Sequence, residues 1–340
     1  SWVNTTGSDK DWYDYTAKKW ANAKTSDGSM WVWIPRYAYS ITSGYHSSST
    51  GTIEIKFLKE SSNVAYDGTS TWDNVSGQGK WNIHPAFNYG QEVSGIWVAK
   101  FEASNSGGKI KVEPGVQSWR SITVNDIYTN CLNYNKTLNS HMMKNDEWGA
   151  VAYLSKSKYG KQNEEVWINN SSSYITGSAG NSASASQDTG TTTDYTSTQG
   201  VKASTTGTVY GVYDMSGGAH EYVAAYVNGE NNRLIIYGKA LINGETKTKN
   251  VYEKASRDYY EDNYNANSSK YGDAVYEVSK SGGYYSSWYG EYSHFPDFYG
   301  YFFERGSGYS RGAYAGVLAF HYSSGGSTNG YSFCPVLAVL

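Results

Sequence analysis

Residues that commonly carry out chemistry are few and scattered in this chain of 340 residues. Its six histidines show no HxxxH spacing and no neighbouring cysteine, which disfavours a zinc site. His220 and Glu221 are adjacent and offer an acid and a base. Cys131 and Cys334 are too far apart to indicate a disulfide scaffold, and at Cys131 a buried free thiol is favoured over a bridge. No phosphate-binding glycine loop, nucleophile elbow or EF-hand loop is recognisable.

The last sixty residues carry a different signal, because they consist largely of Tyr, Ser, Gly, Phe, His and Asn. Tyrosine offers a large amphipathic contact surface with only two side-chain torsions to freeze, and Ser, Gly and Asn add adaptable hydrogen bonds. Antigen-binding loops use the same mixture for this reason. The composition therefore predicts a binding surface at this end of the chain.

Composition excludes several classes of protein. The net charge of −3 gives no basic footprint for nucleic acid, so no nucleic-acid partner is expected. No apolar stretch approaches the roughly 20 residues that span a bilayer, so direct membrane insertion is not expected either. Abundant Ser, Thr, Asn and Gly favour an extracellular or virion protein. The chain begins at Ser1 without a signal segment, and we expect it to be part of a longer precursor.

Sequence patterns predict an α+β fold with one main core, two helices, many short strands and long loops. The predicted strands include a hairpin over 12–23, a run over 30–41 in which Pro35 indicates an edge or a bulge, and segments 52–57 and 96–101. The first helix is capped by Thr123 and runs through Val124, Ile127, Cys131 and Tyr134; the second is capped by Asn145 and stops at Gly160. We expect an extended loop over 169–206 and a weakly patterned polar insertion over 228–279.

Four stretches in order along the chain resemble the formylglycine-generating-enzyme-like branch of the C-type lectin fold. Residues 140–148 (SHMMKNDEW) resemble that family's RLPTEAEWEYA helix, and residues 210–222 (YGVYDMSGGAHEY) resemble its GLYDMSGNVWEW segment. Residues 282–285 with 303–306 are similar to the RGG region, and residues 332–336 (SFCPV) are similar to the closing GFRPV strand. The resemblance covers roughly residues 31–340, and the Tyr-Asp-Met-Ser-Gly box is its most specific part.

More narrowly, the chain resembles the variable proteins of diversity-generating retroelements, which end in a hypermutated binding surface on this fold. Template adenines are randomised there, usually in AAY codons, and the resulting NNY codons never encode Lys, Glu, Gln, Met or Trp. Residues 306–340 contain none of these five. The resemblance implies an adhesin or phage receptor-binding protein on a bacterial surface, pilus or virion. Its expected partner is a protein or glycan receptor on a cell surface.

The resemblance also implies a domain plan and a site. Residues 1–27 are expected to form a hairpin extension packed on a lectin-like domain of residues 28–340, which carries the insertions 169–206 and 228–279 and a variable ligand-binding region over 284–334. Val317 and Phe320 are expected to point inward. The ligand-binding positions expected to be exposed are Tyr299, Tyr301, Ser307, Gly308, Tyr309, Ser310, Arg311, Ala313, Tyr314, His321, Tyr322, Ser323, Ser324, Thr328, Asn329 and Tyr331.

Two other functions stay open at this point. The parent family includes a copper-dependent oxidase that needs two nearby thiols, which the spacing of the cysteines here disfavours. A carbohydrate-binding lectin without diversification would instead stack Tyr and Trp on sugars.

We expect no enzymatic activity and no cofactor; a structural calcium ion is left open with no ligands assigned. The family usually carries Arg where Cys334 stands, so that position is either diversified or a filler of a buried gap. By the resemblance, Glu221 is structural and His220 lies at an aromatic core position.

Overall fold

The structure, a computed structural model, describes residues 12–340 and mixes α-helices with many short strands. Four complete α-helices lie in that range: α1 (Val124–Tyr134), α2 (Asn145–Ser155), α3 (Asn232–Asn243) and α4 (Tyr260–Ala266). The strands are β1 (Asn22–Lys24), β2 (Met30–Pro35), β3 (Tyr37–Ser43), β4 (Thr52–Phe57), β5 (Asn82–Ile83), β6 (Gly95–Ala99), β7 (Ser104–Ser106), β8 (Lys109–Lys111), β9 (His141–Met142), β10 (His220–Val227), β11 (Asn250–Tyr252), β12 (Phe302–Gly306), β13 (Gly316–Ser323), β14 (Tyr331–Phe333) and β15 (Pro335–Leu337). The predicted α+β class is confirmed.

Two five-stranded sheets organise the fold. The first has the order β1-β2-β6-β15-β9, and all of its strand pairs are antiparallel. The second has the order β11-β10-β12-β13, with β14 also paired to β10. A three-stranded sheet (β4-β3-β5) and the β7-β8 pair complete the arrangement. The C-terminal segment thus contributes a strand to each large sheet, so the end of the chain is built into the core.

Both predicted helices form. Thr123 caps α1, its hydroxyl accepting from the backbone N–H of Asp126 at 3.2 Å, and the prediction for this helix is confirmed. For α2 the predicted cap was wrong by one residue: Lys144 is the N-cap, and its backbone N–H donates to the Glu147 carboxylate at 2.8 Å. The helix ends at Ser155, before Gly160, and every one of its residues is buried.

The insertion over 228–279 is more ordered than its sequence indicates, because it contains α3, β11 and α4. The expectation of two helices was therefore wrong. In α3 Ile235 and Ile236 are 61% and 63% exposed, and Gly238 has non-helical torsions. A glycine inside a helical pattern lowers confidence in a helix predicted from the sequence.

The single strand expected over 30–41 is two strands that belong to different sheets, β2 and β3, separated at Arg36. Pro35 ends β2 and pairs with Gly95 of β6, beyond the residues of β2 that pair with β1, so it takes an edge position, one of the two that the proline indicated. Arg36 makes the change of sheet, with its side chain buried and its Nη1 donating to the Phe87 carbonyl at 3.1 Å.

The expected N-terminal hairpin extension falls partly on residues 1–11, which lie outside the described residues. In the described part, the hairpin reduces to one bridge between Asp14 and Lys19. Strand β1 pairs with β2, and the fully buried Trp20 donates through Nε1 to the Tyr159 carbonyl at 2.9 Å. Residues 20–24 are therefore part of the main sheet and core. No helix among the described residues has the length and apolarity needed to cross a bilayer.

Candidate ligand-binding face

The antiparallel hairpin of β12 and β13 positions the candidate site. In its register Phe303 lies opposite Tyr322, Glu304 opposite His321, and Arg305 opposite Phe320. Strand β12 is buried along its whole length, whereas β13 is buried up to Phe320 and half-exposed at His321 and Tyr322. Val317 and Phe320 are buried, as predicted. The hairpin therefore carries half-exposed side chains on a backbone fixed in the core.

Arg305 fixes the base of this hairpin. Its guanidinium is fully buried and donates through Nη1 to the Asn145 side-chain oxygen (2.7 Å) and the Asp273 carbonyl (2.8 Å). Its Nη2 donates to the Ala274 carbonyl at 3.0 Å, and its Nε to the Ala319 carbonyl at 2.9 Å. Burial lowers the pKa of Arg305 to about 10, which leaves it charged at neutral pH. One side chain thus ties β12 and β13 to the N-terminus of α2.

The predicted site residues divide into three groups by exposure. Those that are exposed are Tyr299, Ser310, Arg311, Ala313, Tyr314, Thr328 and Asn329. Those that are half-buried are Tyr309, His321, Tyr322, Ser324 and Tyr331. Those that are buried are Tyr301, Ser307, Gly308 and Ser323. The expectation of exposure was wrong for this last group.

Each of the four buried positions has a packing reason. The hydroxyl of Tyr301 donates to the Asp258 carboxylate, and a Cβ on Gly308 would lie 2.8 Å from Nε2 of His220. Ser307 adjoins that contact at 7% exposure, and the Ser323 hydroxyl is bonded to the Tyr222 hydroxyl at 2.9 Å. These residues support the site from beneath rather than present themselves to a partner.

The half-exposed and exposed aromatic rings, joined through the buried ring of His294, form one connected surface, which we call the aromatic face. Its rings meet edge-to-face, tilted or stacked, at centroid separations between 4.1 Å (Tyr285–Tyr314) and 6.1 Å (Tyr299–Tyr322). Its members are Tyr284, Tyr285, Tyr292, His294, Tyr299, Tyr314, His321 and Tyr322. Side chains from 284–299 and from 314–322 thus share a surface.

Sequence reasoning missed several members of the aromatic face. Tyr284 and Tyr285 are 58% and 44% exposed, and Tyr292 and His294 pack beside them. Tyr284 and Tyr285 also hold left-handed backbone torsions, with φ of 44° and 55°. Such torsions are costly outside glycine and cluster at functional sites. Their signal in the sequence is the Gly-Gly-Tyr-Tyr run at the start of the expected variable region over 284–334, where neither tyrosine was named as a site position.

A second aromatic cluster lies beside Asn329 and includes residues from outside the C-terminal segment. The ring of Tyr174, from the loop over 169–206, meets Tyr309 edge-to-face at 4.9 Å. The Arg120 guanidinium carbon lies 4.0 Å from the Tyr174 ring centroid. Arg120 Nη1 donates to the Asn329 carbonyl at 2.9 Å and to its side-chain oxygen at 2.6 Å. Arg120 and Tyr174 therefore belong to the candidate site, although no motif marked them.

Glu304 lies between His220 and His321 in the buried part of the site. Its Oε1 lies 2.9 Å from Nδ1 of His220 and 3.1 Å from Nδ1 of His321. Burial alone would raise the pKa of Glu304, but the two imidazoles outweigh it and hold that pKa well below its ordinary value. His220 stacks toward Tyr331 at 5.2 Å, and His321 stacks on Tyr322 at 4.4 Å. One buried carboxylate therefore orients rings on both sides of the site.

The two cysteines are free and buried. Burial raises the pKa of both thiols well above the ordinary value, and the neighbouring Glu221 raises that of Cys334 further. Cys334 thus fills a buried gap. No group of three or more His, Cys, Asp or Glu side chains in the described part of the chain is arranged to hold a metal ion.

A cleft of about 470 Å³ lies at the C-terminal end of α1, away from the aromatic face. It is lined by Asp27, Lys109, Asn133 and Tyr134, among others. The Asp27 carboxylate already accepts from the Thr25 hydroxyl at 2.6 Å and the Ser29 hydroxyl at 2.8 Å, so it serves the β1–β2 turn.

A scan against protein-family models finds no match to this chain, and a search of curated proteins finds no match either.

Proposed function

We propose that this protein is a ligand- or receptor-binding surface protein that presents its C-terminal aromatic face to a partner. The observation that carries the proposal is the exposure of tyrosine rings in the loops that border a buried hairpin of β12 and β13. Tyr284, Tyr299 and Tyr314 are 58%, 53% and 44% exposed, whereas the neighbouring β12 residues are all buried. Rigid aromatic anchors on a fixed frame lose little entropy on binding, which is how high-affinity contact surfaces are built.

We further propose a C-type-lectin-like scaffold of the formylglycine-generating type. In support, the four stretches that resemble that family pack against one another. The Met143 N–H donates to the Cys334 carbonyl at 3.0 Å, and the Gly217 N–H donates to the Gly306 carbonyl at 3.1 Å. The Trp148 indole donates to the Val317 carbonyl at 2.7 Å. A scaffold of this family would bring these stretches together in one core.

Diversification by a retroelement is the third part of the proposal. The exposed positions of the loop between β12 and β13, Ser310, Arg311, Ala313 and Tyr314, all carry residues that NNY codons encode. Replacing side chains there leaves the buried backbone contacts of the hairpin in place. As a member of this class the protein would act extracellularly, on a bacterial surface, a pilus or a virion.

The oxidase alternative is less well supported. A copper site of that kind needs two thiols close together, whereas the Cys334 thiol is directed to the Phe101 carbonyl at 3.6 Å and Cys131 lies on α1. A lectin without diversification would bind a glycan without depending on the variable positions, so it is distinguished by experiment.

The test is a display library in which Tyr299, Ser310, Arg311, Ala313, Tyr314, Thr328 and Asn329 are randomised with NNY codons. A control library randomises exposed positions elsewhere, Ser48, Ser49, Thr50, Thr52, Glu54, Lys59 and Glu60. Both libraries are selected on lysozyme and on streptavidin. We expect most variants of the first library to fold and to yield binders to both targets, and the control library to yield none. Equal recovery from the two libraries, or general loss of folding in the first, would refute the proposal. A lectin would show glycan binding by the unmodified protein that persists through the exchange of the NNY positions.

A further inference from the structure

The arginines of this protein are unequally paired. Arg36 and Arg257 each form an ion pair with a carboxylate, and Arg305 is fully buried in its own hydrogen-bond network. Arg120, Arg233 and Arg311 have no carboxylate within 4.0 Å among residues 12–340. All three of these unpaired arginines lie at the candidate ligand-binding site.

Arg120 is held in place before any partner arrives. Asn329 accepts two hydrogen bonds from its Nη1, and the Tyr174 ring lies under the guanidinium at 4.0 Å. Its Nε is buried and has no partner among the described residues. A guanidinium that is oriented by stacking and already fixed at one nitrogen loses little freedom when an anion pairs with it.

The other two arginines contact or adjoin members of the aromatic face. Arg233 donates through Nη1 to the Tyr299 carbonyl at 2.7 Å, which places it at the edge formed by Tyr299. Arg311 is exposed in the loop between β12 and β13, where its carbonyl accepts from the Tyr314 N–H at 3.1 Å. Three cationic groups thus lie at the candidate site.

The nearby acidic groups form no ion pair with them among the described residues. Glu304 and Asp297 are buried and face His220, His321 and His294. Glu230 is exposed near Tyr301, and the half-buried Asp258 and Glu261 accept from the Tyr301 hydroxyl and the Gly282 N–H. The chain as a whole carries a net charge of −3, so a group of unpaired arginines runs against its overall balance. Charge complementarity then favours a partner with negative charge.

The same edge carries side chains without any polar atom. Ile235 and Ile236 are 61% and 63% exposed on α3 beside Arg233, and Phe298, at 45% exposure, stacks on Tyr299 at 4.0 Å. Sugar hydroxyls placed on these groups would lose water without gaining hydrogen bonds. An apolar centre with arginines around it is typical of a protein–protein contact.

We propose that the partner is a protein whose contact surface carries carboxylates opposite Arg120, Arg233 and Arg311 around apolar side chains. This inference rests on the proposed function and names its partner class. It also extends the site to α3 and to Arg120, which lie outside the C-terminal segment.

The experiment uses the unmodified chain and two displayed libraries of random twelve-residue peptides, one built from all twenty amino acids and one without Asp and Glu. We expect binders from the first library only, each with at least two acidic residues. Their affinity should fall at least tenfold when Arg120, Arg233 and Arg311 are all replaced by Gln. A matched triple change of exposed lysines, Lys59, Lys109 and Lys136 to Gln, should change affinity less than twofold.

Binders of equal strength from the library without Asp and Glu, or binding that is indifferent to the arginine replacements, would overturn the acidic-partner inference. If the peptides found in either of these cases lost affinity when Tyr284, Tyr299 and Tyr314 were replaced by Ser, the proposed binding function would hold without the acidic-partner inference. Binding to a glycan array without any peptide binder would reject a protein partner. The thermal unfolding midpoint shows whether the triple arginine variant folds. If it does not fold, the three single Arg→Gln variants are measured instead.

Discussion

The guanidinium of Arg305 donates to the side-chain oxygen of Asn145 at 2.7 Å, joining the β12–β13 hairpin to the first turn of α2. Both residues are fully buried. The bond lies beneath the aromatic face and belongs to the frame that supports it. Because the other Arg305 donors reach only carbonyl oxygens, the whole network depends on one planar cation with its donors in a fixed arrangement.

Replacing Arg305 by Lys should therefore be strongly destabilising. A single ammonium cannot reach the Asn145 side chain and the Asp273, Ala274 and Ala319 carbonyls together, and acceptors left unpaired in the core are costly. We expect a loss of about 3–5 kcal/mol in the free energy of unfolding. Urea denaturation measures it. Arg311→Lys, at an exposed position, is the control and should change that free energy by less than about 0.5 kcal/mol. Equal effects at the two positions would contradict the anchoring role.

Trp148 is a second support of the same hairpin. Its ring is fully buried in α2, and its Nε1 donates to the Val317 carbonyl at 2.7 Å. Trp148→Ala should cost about 3–5 kcal/mol through the cavity and the lost packing. Trp148→Phe keeps part of the ring and isolates the indole hydrogen bond, so its cost should be smaller.

Tyr314→Ala is the matched control for Trp148→Ala, because that ring is 44% exposed. Its thermal unfolding midpoint should stay close to that of the unmodified protein. If Tyr314→Ala unfolded the protein while Trp148→Ala did not, the assignment of Trp148 to the supporting core and of Tyr314 to the exposed aromatic face would be wrong.

The sequence predicted elements where local signals agree. Helix α1 was placed correctly because a capping threonine precedes apolar residues at helical spacing. Helix α3 was missed although its apolar residues favour one side, because Gly238 interrupts it and the segment around it is polar. The candidate site was located by composition, yet composition could not separate Tyr299 from Tyr301. Only the second is buried, since its hydroxyl reaches Asp258 in the distant insertion. Arg120 and Tyr174 were missed for the same reason: long-range contacts leave no local pattern.

Gly316 offers a test of how closely the hairpin packs. A Cβ at this position would lie 2.0 Å from Cδ of Glu291, whose carboxylate accepts from the Leu318 N–H at 2.6 Å. Gly316→Ala must therefore displace a buried carboxylate, and we expect it to cost about 1–3 kcal/mol in the free energy of unfolding. Gly326→Ala is the control, because the nearest atom to its Cβ is a Tyr237 ring carbon at 3.6 Å. Equal stability of the two variants in urea would show that the hairpin accommodates a Cβ at Gly316 without loss of packing.

Glu277 predicts a pH dependence of stability. Its Oε2 accepts from the Tyr39 hydroxyl (2.7 Å), the Tyr153 hydroxyl (2.9 Å) and the Gly272 N–H (2.7 Å). Burial outweighs these donors and raises the pKa of Glu277 from 4.5 to about 7. The folded protein therefore keeps a proton that the unfolded chain releases. The stabilisation from this group is complete below about pH 4.5 and is lost as pH rises through about 7.

Glu277→Gln keeps an oxygen acceptor for the three donors and removes the titration. We expect the free energy of unfolding of the unmodified protein, relative to this variant, to fall by about 1–3 kcal/mol between about pH 5 and about pH 8. Urea denaturation at several pH values measures the difference. Glu54→Gln, at an exposed position of β4, should leave the pH profile unchanged. Parallel profiles for the unmodified protein and Glu277→Gln would mean that Glu277 is ionised in the core throughout this range, with the tyrosine hydroxyls sufficient to hold its charge.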